Sequence, residues 1–155
     1  MLNFKITPTS KNIAAIIGVA IFFLFDRWLK TVALGLTAGS YQRLASDLFI
    51  FRFSANYRIA FSLPISGPAL PLAVLIVIVA LAIYANRIPK KPGYQIERLA
   101  IGMIIMGAIS NLIDRLAYGY VVDYLELRYF TVFNLADTLI TVGAAILIFR
   151  SIRSR

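Results

Sequence analysis

The stretch LAIGMIIMGAISNLIDRLA, residues Leu99–Ala117, decides the fold of this chain. It is mostly apolar and, at close to ~20 residues, is long enough to cross a bilayer as one helix. Asn111, Asp114 and Arg115 follow each other at i, i+3 and i+4 spacing, which places them on one helical face. Polar groups inside a membrane helix join helices by hydrogen bonds or build a functional site. The stretch therefore predicts a membrane helix with one polar face.

Three further windows are similarly long and apolar, at about residues 13–36, 68–84 and 133–149. The whole chain of 155 residues is 60% hydrophobic, with a mean hydropathy of +0.81. Soluble domains are only ~45–50% apolar. We therefore predict an all-α membrane protein, in which four transmembrane helices form one bundle and residues 1–155 form a single integral membrane domain.

Lysine and arginine are unequally distributed between the two sides of these spans. Nine lie at the termini or between the second and third spans, and four lie on the other side. The nine are Lys5, Lys11, Arg87, Lys90, Lys91, Arg98, Arg150, Arg153 and Arg155, and the four are Arg43, Arg52, Arg58 and Arg128. Because basic loops stay in the cytoplasm, we predict cytoplasmic termini, with residues 39–67 and 118–132 facing outward.

The first outward segment, residues 39–67, is too apolar for a solvated loop. Its stretch DLFIFRFS, residues 47–54, is aromatic and β-branched and partly alternates with polar residues. Such a pattern is typical of short strands. We predict a small β-rich element on the outer face of the bundle; a re-entrant or interfacial segment is the alternative.

Composition excludes several kinds of chemistry. The chain has no cysteine and no histidine, so disulfides, thiol nucleophiles, histidine bases and Cys/His zinc sites are ruled out. Hydrolysis must then depend on Asp, Glu, Ser, Thr, Tyr, Lys or water. The net charge of +9 comes from short loops between apolar runs, which is typical of membrane topology and does not indicate a nucleic-acid partner.

Depth counting brings the polar residues of separate spans to one level. At a rise of ~1.5 Å per residue, the polar residues of the first and third spans lie roughly 18–26 Å from the cytoplasmic ends. The fourth span begins on the outer side, so its polar residues lie in its first turns. This shared depth in the outer leaflet predicts one functional site, formed by Asp26, Lys30, Asn111, Asp114, Arg115, Asp123, Asn134 and Asp137.

Structural roles compete with this interpretation. Asp26 and Lys30, spaced i, i+4, could form a self-neutralising helix pair. The polar face of Leu99–Ala117 could simply hold helices together. Asn134 and Asp137 resemble a helix N-cap followed three positions later by an acidic residue, as in a capping box.

Asp123 and Asp137 are the strongest candidates for chemistry. They flank one short connection at the membrane edge, where an unpaired carboxylate is unfavourable. Two neighbouring carboxylates that share a proton are the basic equipment of an aspartic protease. A small proton- or ion-coupled transporter is an alternative, because intramembrane charges also line ion paths. A structural membrane subunit with buried polar contacts is a third possibility.

Five polar blocks in order resemble the motifs of the lipoprotein signal peptidases, also called signal peptidase II. They are DRWLK at 26–30, NYRIAFS at 56–62, GAISNLIDR at 107–115, VVDY at 121–124 and FNLAD at 133–137. The chain departs from the family's usual residues at Arg58 and Ser110, where glycine is usual, and at Tyr124, where phenylalanine is usual. The connection between Asp123 and Asp137 also looks short for the family.

The resemblance implies a function and a set of roles. Asp123 and Asp137 would be the catalytic pair. Asn56, Asn111, Arg115 and Asn134 would hold or orient the substrate, and Asp26, Lys30 and Asp114 would support the site. The substrate would be a bacterial prolipoprotein carrying a diacylglyceryl cysteine, cut just before that cysteine at the outer face of the inner membrane. We expect a monomer among membrane lipids that needs no metal or cofactor.

Overall fold

The computed structural model describes residues 8–37, 39–45, 48–57, 69–91, 93–128 and 131–153. These residues form four helices and four strands. In chain order they are α1 (Pro8–Leu34), β1 (Tyr41–Ala45), β2 (Phe49–Asn56), α2 (Ala69–Arg87), α3 (Gln95–Tyr118), β3 (Val121–Leu127), β4 (Val132–Phe133) and α4 (Leu135–Arg153). Arg58 and the rest of the second polar block after Tyr57 lie outside the described residues.

Three helices within the described residues are long and apolar enough to cross a membrane, namely α2, α3 and α4. They correspond to three of the four predicted spans. The fourth predicted span corresponds to α1, which has 27 residues but carries Asp26, Arg27 and Lys30. A charged stretch of this kind lowers the apolar character of the C-terminal half of α1, so a count of exactly four spans remains a prediction.

Helix α3 lies at the centre of the helical part and packs against α1, α2 and α4. Many large apolar side chains point away from this packing and are exposed, including Ile16 at 65%, Leu24 at 64% and Phe149 at 72%. In water such a surface would be an aggregation hazard. In a bilayer it is the surface that contacts lipid.

The four strands form one antiparallel sheet in the order β1-β2-β3-β4. The strands predicted within residues 39–67 are present as β1 and β2. The interpretation of residues 118–132 as a simple connection is incomplete, because they contribute β3 and β4. The sequence feature that indicates β3 is the run VVDYLEL, residues Val121–Leu127. Its strand character becomes clear only when β2 is available as its partner. Ser54 pairs with Asp123 in this register, so the sheet fixes the position of Asp123.

The close approach of α3 to α4 depends on Gly107. A Cβ atom at this position would lie 2.8 Å from the Cγ1 atom of Ile140 and would clash with the carbonyl oxygen of Ala136. The backbone oxygen cannot move without moving the first turn of α4. Gly107 therefore lets the N-terminus of α4 rest directly on α3.

We expect Gly107→Ala to lower the stability of the protein by about 2 kcal/mol, because overpacking pushes α4 away from α3. Gly102 is the matched control in the same helix, since a Cβ there would meet nothing within 4 Å. Gly102→Ala should leave stability unchanged or raise it, because alanine favours helix more than glycine does. Thermal unfolding in detergent measures both variants. Equal melting temperatures for the two would contradict the proposed close contact.

Candidate active site

Asp123 lies on β3 and is only 2% exposed. Its two carboxylate oxygens each accept a hydrogen bond from an asparagine amide. Asn56 Nδ2 donates to Oδ2 at 2.9 Å and Asn134 Nδ2 donates to Oδ1 at 2.7 Å. The carboxylate is therefore fixed in orientation by β2 on one side and by the start of α4 on the other.

Asp137 lies in the first turn of α4, where its carboxylate completes a capping box with Asn134. The Asp137 amide donates to Asn134 Oδ1 at 2.9 Å, and the Asn134 amide donates to Asp137 Oδ2 at 3.3 Å. The structural role predicted for this pair is thus confirmed. The other oxygen, Oδ1, accepts from Asn111 Nδ2 at 2.8 Å, so Asp137 is also tied to α3.

Asn134 connects the two carboxylates. Its side-chain nitrogen donates to Asp123, while its side-chain oxygen and backbone amide bond to Asp137. One residue therefore touches both acids, which the sequence had placed at opposite ends of a connection. The arrangement holds two carboxyl groups in the same small region, where β3 meets the first turn of α4.

The pKa of Asp123 is raised from its ordinary value to about 7. Burial is the main cause, because it disfavours the charged carboxylate, and the nearby charge of Asp137 adds to it. The hydrogen bonds from Asn56 and Asn134 and the charge of Lys30 act in the opposite direction but do not cancel the effect. Asp123 can therefore exchange a proton near neutral pH, as a general acid or base must.

A buried ionic cluster lies beside the two acids. Lys30 Nζ is 2.7 Å from Asp114 Oδ2 and 3.4 Å from Asp26 Oδ2, and all three side chains are almost completely buried. Arg27 forms a second ion pair with Asp114 Oδ1. Two cations thus balance two carboxylates, as a low-dielectric interior requires. The i, i+4 pair of Asp26 and Lys30 is confirmed, although Lys30 lies closer to Asp114.

Asp114 and Asp26 each also accept a hydrogen bond from a backbone amide. One amide belongs to β3, which carries Asp123, and the other to α4, which carries Asp137. Asp114 Oδ2 accepts from the amide of Val122 at 3.1 Å, directly before Asp123. Asp26 Oδ1 accepts from the amide of Ala136 at 3.2 Å, directly before Asp137. The cluster is therefore bonded to both sides of the pair. Within the described residues, every buried side-chain nitrogen or oxygen atom has a hydrogen-bond partner.

The predicted site residues converge in the structure. Lys30 Nζ also donates to Asn111 Oδ1 at 2.8 Å, which links the ionic cluster to the amides around the two acids. Arg115 lies within electrostatic reach of Asp114, Asp123 and Asp137. The asparagines contact the carboxylates in this structure, so their predicted role in substrate binding stays a prediction.

Sequence reasoning gave no role to three residues of this network. Arg27 pairs with Asp114, while the hydroxyls of Ser110 and Tyr124 donate to Asp26. In the sequence, Ser110 and Tyr124 stand out only as departures from a motif. Their hydroxyls were the available signal, because a buried hydroxyl needs a partner, but the partner could not be identified from the sequence.

The geometry is suited to acid–base chemistry. Among the described residues, no group of three or more acidic side chains is arranged to hold a metal ion. Lys30 lies within electrostatic reach of both carboxylates, and asparagine amides donate hydrogen bonds to them. What the site offers is two neighbouring carboxyl groups, one with a pKa near neutrality, held by amides that add no charge.

Comparison with known proteins places the chain in a family. The sequence profile described as Signal peptidase (SPase) II matches residues 18–153. The chain belongs to the signal peptidase II family. The lipoprotein signal peptidase of Halothermothrix orenii is 36% identical over 134 residues, covering 85% of this chain and 90% of that protein. The lipoprotein signal peptidase of Paraburkholderia phymatum is 34% identical over 153 residues, covering 94% and 92%.

Solved structures support the fold. Two structures described as a bacterial membrane enzyme have TM-scores of 0.81 and 0.77, at 22% and 23% identity. They cover 90% and 92% of this chain, and 88% and 94% of their own chains. Membership in the signal peptidase II family identifies a bacterial integral membrane peptidase. It favours the peptidase hypothesis over the transporter and the structural subunit.

Proposed function

We propose that the chain is an aspartic endopeptidase that removes signal peptides from diacylglyceryl-modified prolipoproteins, with Asp123 and Asp137 as its catalytic pair. The observation that carries this proposal is the position of Asn134, which bonds to both carboxylates at once. The charge of Asp137 raises the pKa of Asp123, and two carboxyls that repel each other in this way can share a proton. The family supports the reaction class, and the geometry supports this choice of residues.

The reaction follows from the shared proton. The ionised carboxylate takes a proton from a water molecule, whose oxygen attacks the scissile carbonyl carbon. The protonated carboxyl donates its proton to the carbonyl oxygen. The tetrahedral intermediate then collapses and the C–N bond breaks. The leaving amine takes the proton that came from water, and a hydroxyl of the intermediate returns its proton to the other carboxylate, which restores the shared proton of the pair. One water is consumed and one carboxyl and one amine are formed. The two acids titrate as a unit, so the proton belongs to the pair and not to either residue.

The amides of Asn56, Asn111 and Asn134 have two consistent roles in this scheme. Without substrate they donate to the carboxylates and fix their orientation. With substrate bound, an asparagine amide can also hydrogen-bond a peptide backbone without adding charge. Arg115, which is partly exposed beside the pair, is placed to hold the substrate near the scissile bond.

We also propose that α1 is the fourth transmembrane span and that both termini are cytoplasmic. Its 27 residues give a length of about 40 Å, enough to cross the hydrocarbon core. Ile17, Ile21 and Leu24 are exposed to an extent that suits lipid. Asp26 and Lys30 are buried in the bundle and, with Arg27, are neutralised in the ionic cluster. This orientation puts the catalytic pair near the outer face of the inner membrane.

A groove between α1, α3 and α4 is suited to apolar parts of the substrate. It has a volume of about 370 Å³ and includes Phe22, Met103 and Val142 in its lining. Thr138 and Leu139, which directly follow Asp137, also line it. An apolar segment in this groove would therefore lie next to the catalytic pair, as cleavage beside a lipidated cysteine requires.

The proposal is tested with a purified enzyme in phospholipid and a prolipopeptide that carries a diacylglyceryl cysteine. We expect two products, a signal peptide and a peptide that begins with the lipidated cysteine, identified by mass spectrometry. Because the pKa of Asp123 in the enzyme without substrate is about 7, kcat/KM should fall about tenfold for each pH unit above this value, as the pair loses its shared proton.

The same peptide without the diacylglyceryl group is the substrate control and should be cleaved far more slowly. Cleavage at another bond would contradict the proposed substrate. A kcat/KM that is constant from pH 6 to pH 9, with the enzyme still folded, would contradict a shared proton.

A further inference from the structure

The hydroxyl of Tyr124 lies at a junction between three elements. It donates to Asp26 Oδ1 on α1 at 2.8 Å and accepts from the backbone amide of Leu135 on α4 at 3.1 Å. Tyr124 itself is on β3, next to Asp123, and is completely buried. One hydroxyl therefore connects the strand that carries one catalytic acid with the helix that carries the other.

The first three amides of helix α4 each have a different acceptor. The amide of Leu135 donates to the Tyr124 hydroxyl, and the amide of Ala136 donates to Asp26 at 3.2 Å. The amide of Asp137 donates to the side chain of Asn134. The first amides of a helix have no partner within the helix. Here the external acceptors set the direction in which α4 leaves the sheet, and so the position of the Asp137 side chain.

Ser110 donates to the other oxygen of the Asp26 carboxylate. Its hydroxyl donates to Asp26 Oδ2 at 2.6 Å, while Tyr124 donates to Oδ1. Lys30 also lies 3.4 Å from Oδ2. With both oxygens engaged, the carboxylate of Asp26 has one orientation, and its contact with the amide of Ala136 is fixed.

We propose that Tyr124 and Ser110 are positioning residues, which act through Asp26 and the first turn of α4 to hold Asp137 in its productive place. The inference rests on the proposed function, because it assumes that Asp137 is catalytic. A displacement of about 1 Å at a reacting group lowers rates by about 100-fold. Removing either hydroxyl that donates to Asp26 is therefore expected to lower kcat, although neither hydroxyl contacts Asp123 or Asp137.

Packing alone would give a different expectation. The Tyr124 ring is 5.6 Å from the ring of Phe51 and belongs to the buried cluster with Ala33 and Val122. Tyr124→Phe keeps this ring and removes only the hydroxyl. A role limited to packing would therefore leave kcat per folded molecule unchanged.

The test compares kcat and KM of Tyr124→Phe and Ser110→Ala with the wild type, using the diacylglyceryl prolipopeptide in phospholipid. We expect kcat per folded enzyme to fall about tenfold for Tyr124→Phe and about threefold for Ser110→Ala. KM should stay within about twofold, because the substrate-binding groups are untouched. Thermal unfolding establishes the temperature at which each variant is fully folded.

Tyr84→Phe is the matched control. Its hydroxyl donates to Glu97 at 3.0 Å, so this variant also loses one tyrosine–carboxylate hydrogen bond, but at the other end of α3. Its kcat should equal that of the wild type. The proposal is overturned if Tyr124→Phe and Ser110→Ala both keep kcat within twofold of the wild type, or if Tyr84→Phe loses as much.

Asp137→Asn in the same assay separates this inference from the proposed function. If Asp137→Asn is inactive and both Tyr124→Phe and Ser110→Ala have normal kcat, only the positioning role fails. If Asp137→Asn is fully active, the catalytic pair and the positioning role fail together.

Discussion

Asp123→Asn and Asp137→Asn should each reduce cleavage of the prolipopeptide by about 10⁴-fold or more, while the protein still inserts in the membrane and folds. An amide has nearly the shape of a carboxylate, but it cannot take a proton from water or share one with its neighbour. General acid–base groups contribute ~10²–10⁴-fold each. Because the two acids act as one unit, losing either should abolish most of the combined effect.

The fold should tolerate both changes because the surrounding contacts are largely kept. In Asp137→Asn, the side-chain amide oxygen would still accept one of the two hydrogen bonds that the Asp137 carboxylate accepts from Asn111 and Asn134. We expect a stability change of about 1 kcal/mol, the usual contribution of one hydrogen bond. Melting temperature and elution volume in detergent measure this, and cleavage is followed over long incubations.

Glu126→Gln is the matched control for Asp123→Asn. Glu126 lies three residues further along β3 and forms an ion pair with Arg52 on β2. Its loss removes one carboxylate from the same strand without touching the pair. Normal activity in Glu126→Gln, combined with none in Asp123→Asn, assigns the loss to the catalytic pair; substantial cleavage by either aspartate variant would contradict the assignment.

Lys30→Met is expected to have the largest effect on stability. Lys30 is 1% exposed and lies between two carboxylates that are themselves 0% exposed. Without its charge, Asp26 and Asp114 each lose this ion pair, and Asp114 keeps its pair with Arg27. Breaking a buried ion pair by removing one partner costs about 3–5 kcal/mol. Because methionine fills a similar volume, the effect comes mainly from the charge.

The measurement for Lys30→Met is the yield of folded protein and its thermal unfolding in detergent. Lys90→Met is the control, since Lys90 lies exposed in the connection between α2 and α3. We expect a large fall in melting temperature for the first variant and almost none for the second. A Lys30→Met protein as stable as the wild type would show that the cluster does not need this charge.

Sequence patterns were sufficient for α2, α3 and α4 and for most of the residues that converge at the candidate site. Apolar length located α2, α3 and α4 within a few residues, and depth counting brought Asp26, Asn111 and Asp137 to one level. Both results follow from helix geometry, which is regular along the chain. Charge and spacing could therefore be converted to position without knowledge of distant contacts.

The parts that sequence could not predict depend on contacts between distant segments. Strand β3 needs β2 beside it, and Tyr124 and Asp26 are 98 residues apart. Hydrogen-bond acceptors for buried hydroxyls are chosen by the three-dimensional packing, not by the local pattern. For the same reason, the resemblance could imply a substrate-binding role for the asparagines but could not reveal that they also donate to the carboxylates.

The most direct test of the catalytic pair is the single-turnover rate of prolipopeptide cleavage, measured side by side for Asp123→Asn, Asp137→Asn and the double variant. If the two carboxyls share one proton and act as a unit, all three variants should have the same residual rate, about 10⁴-fold or more below the wild type. Near-normal cleavage by either single variant would contradict the account. So would a double variant that is slower than both single variants by a second factor of similar size.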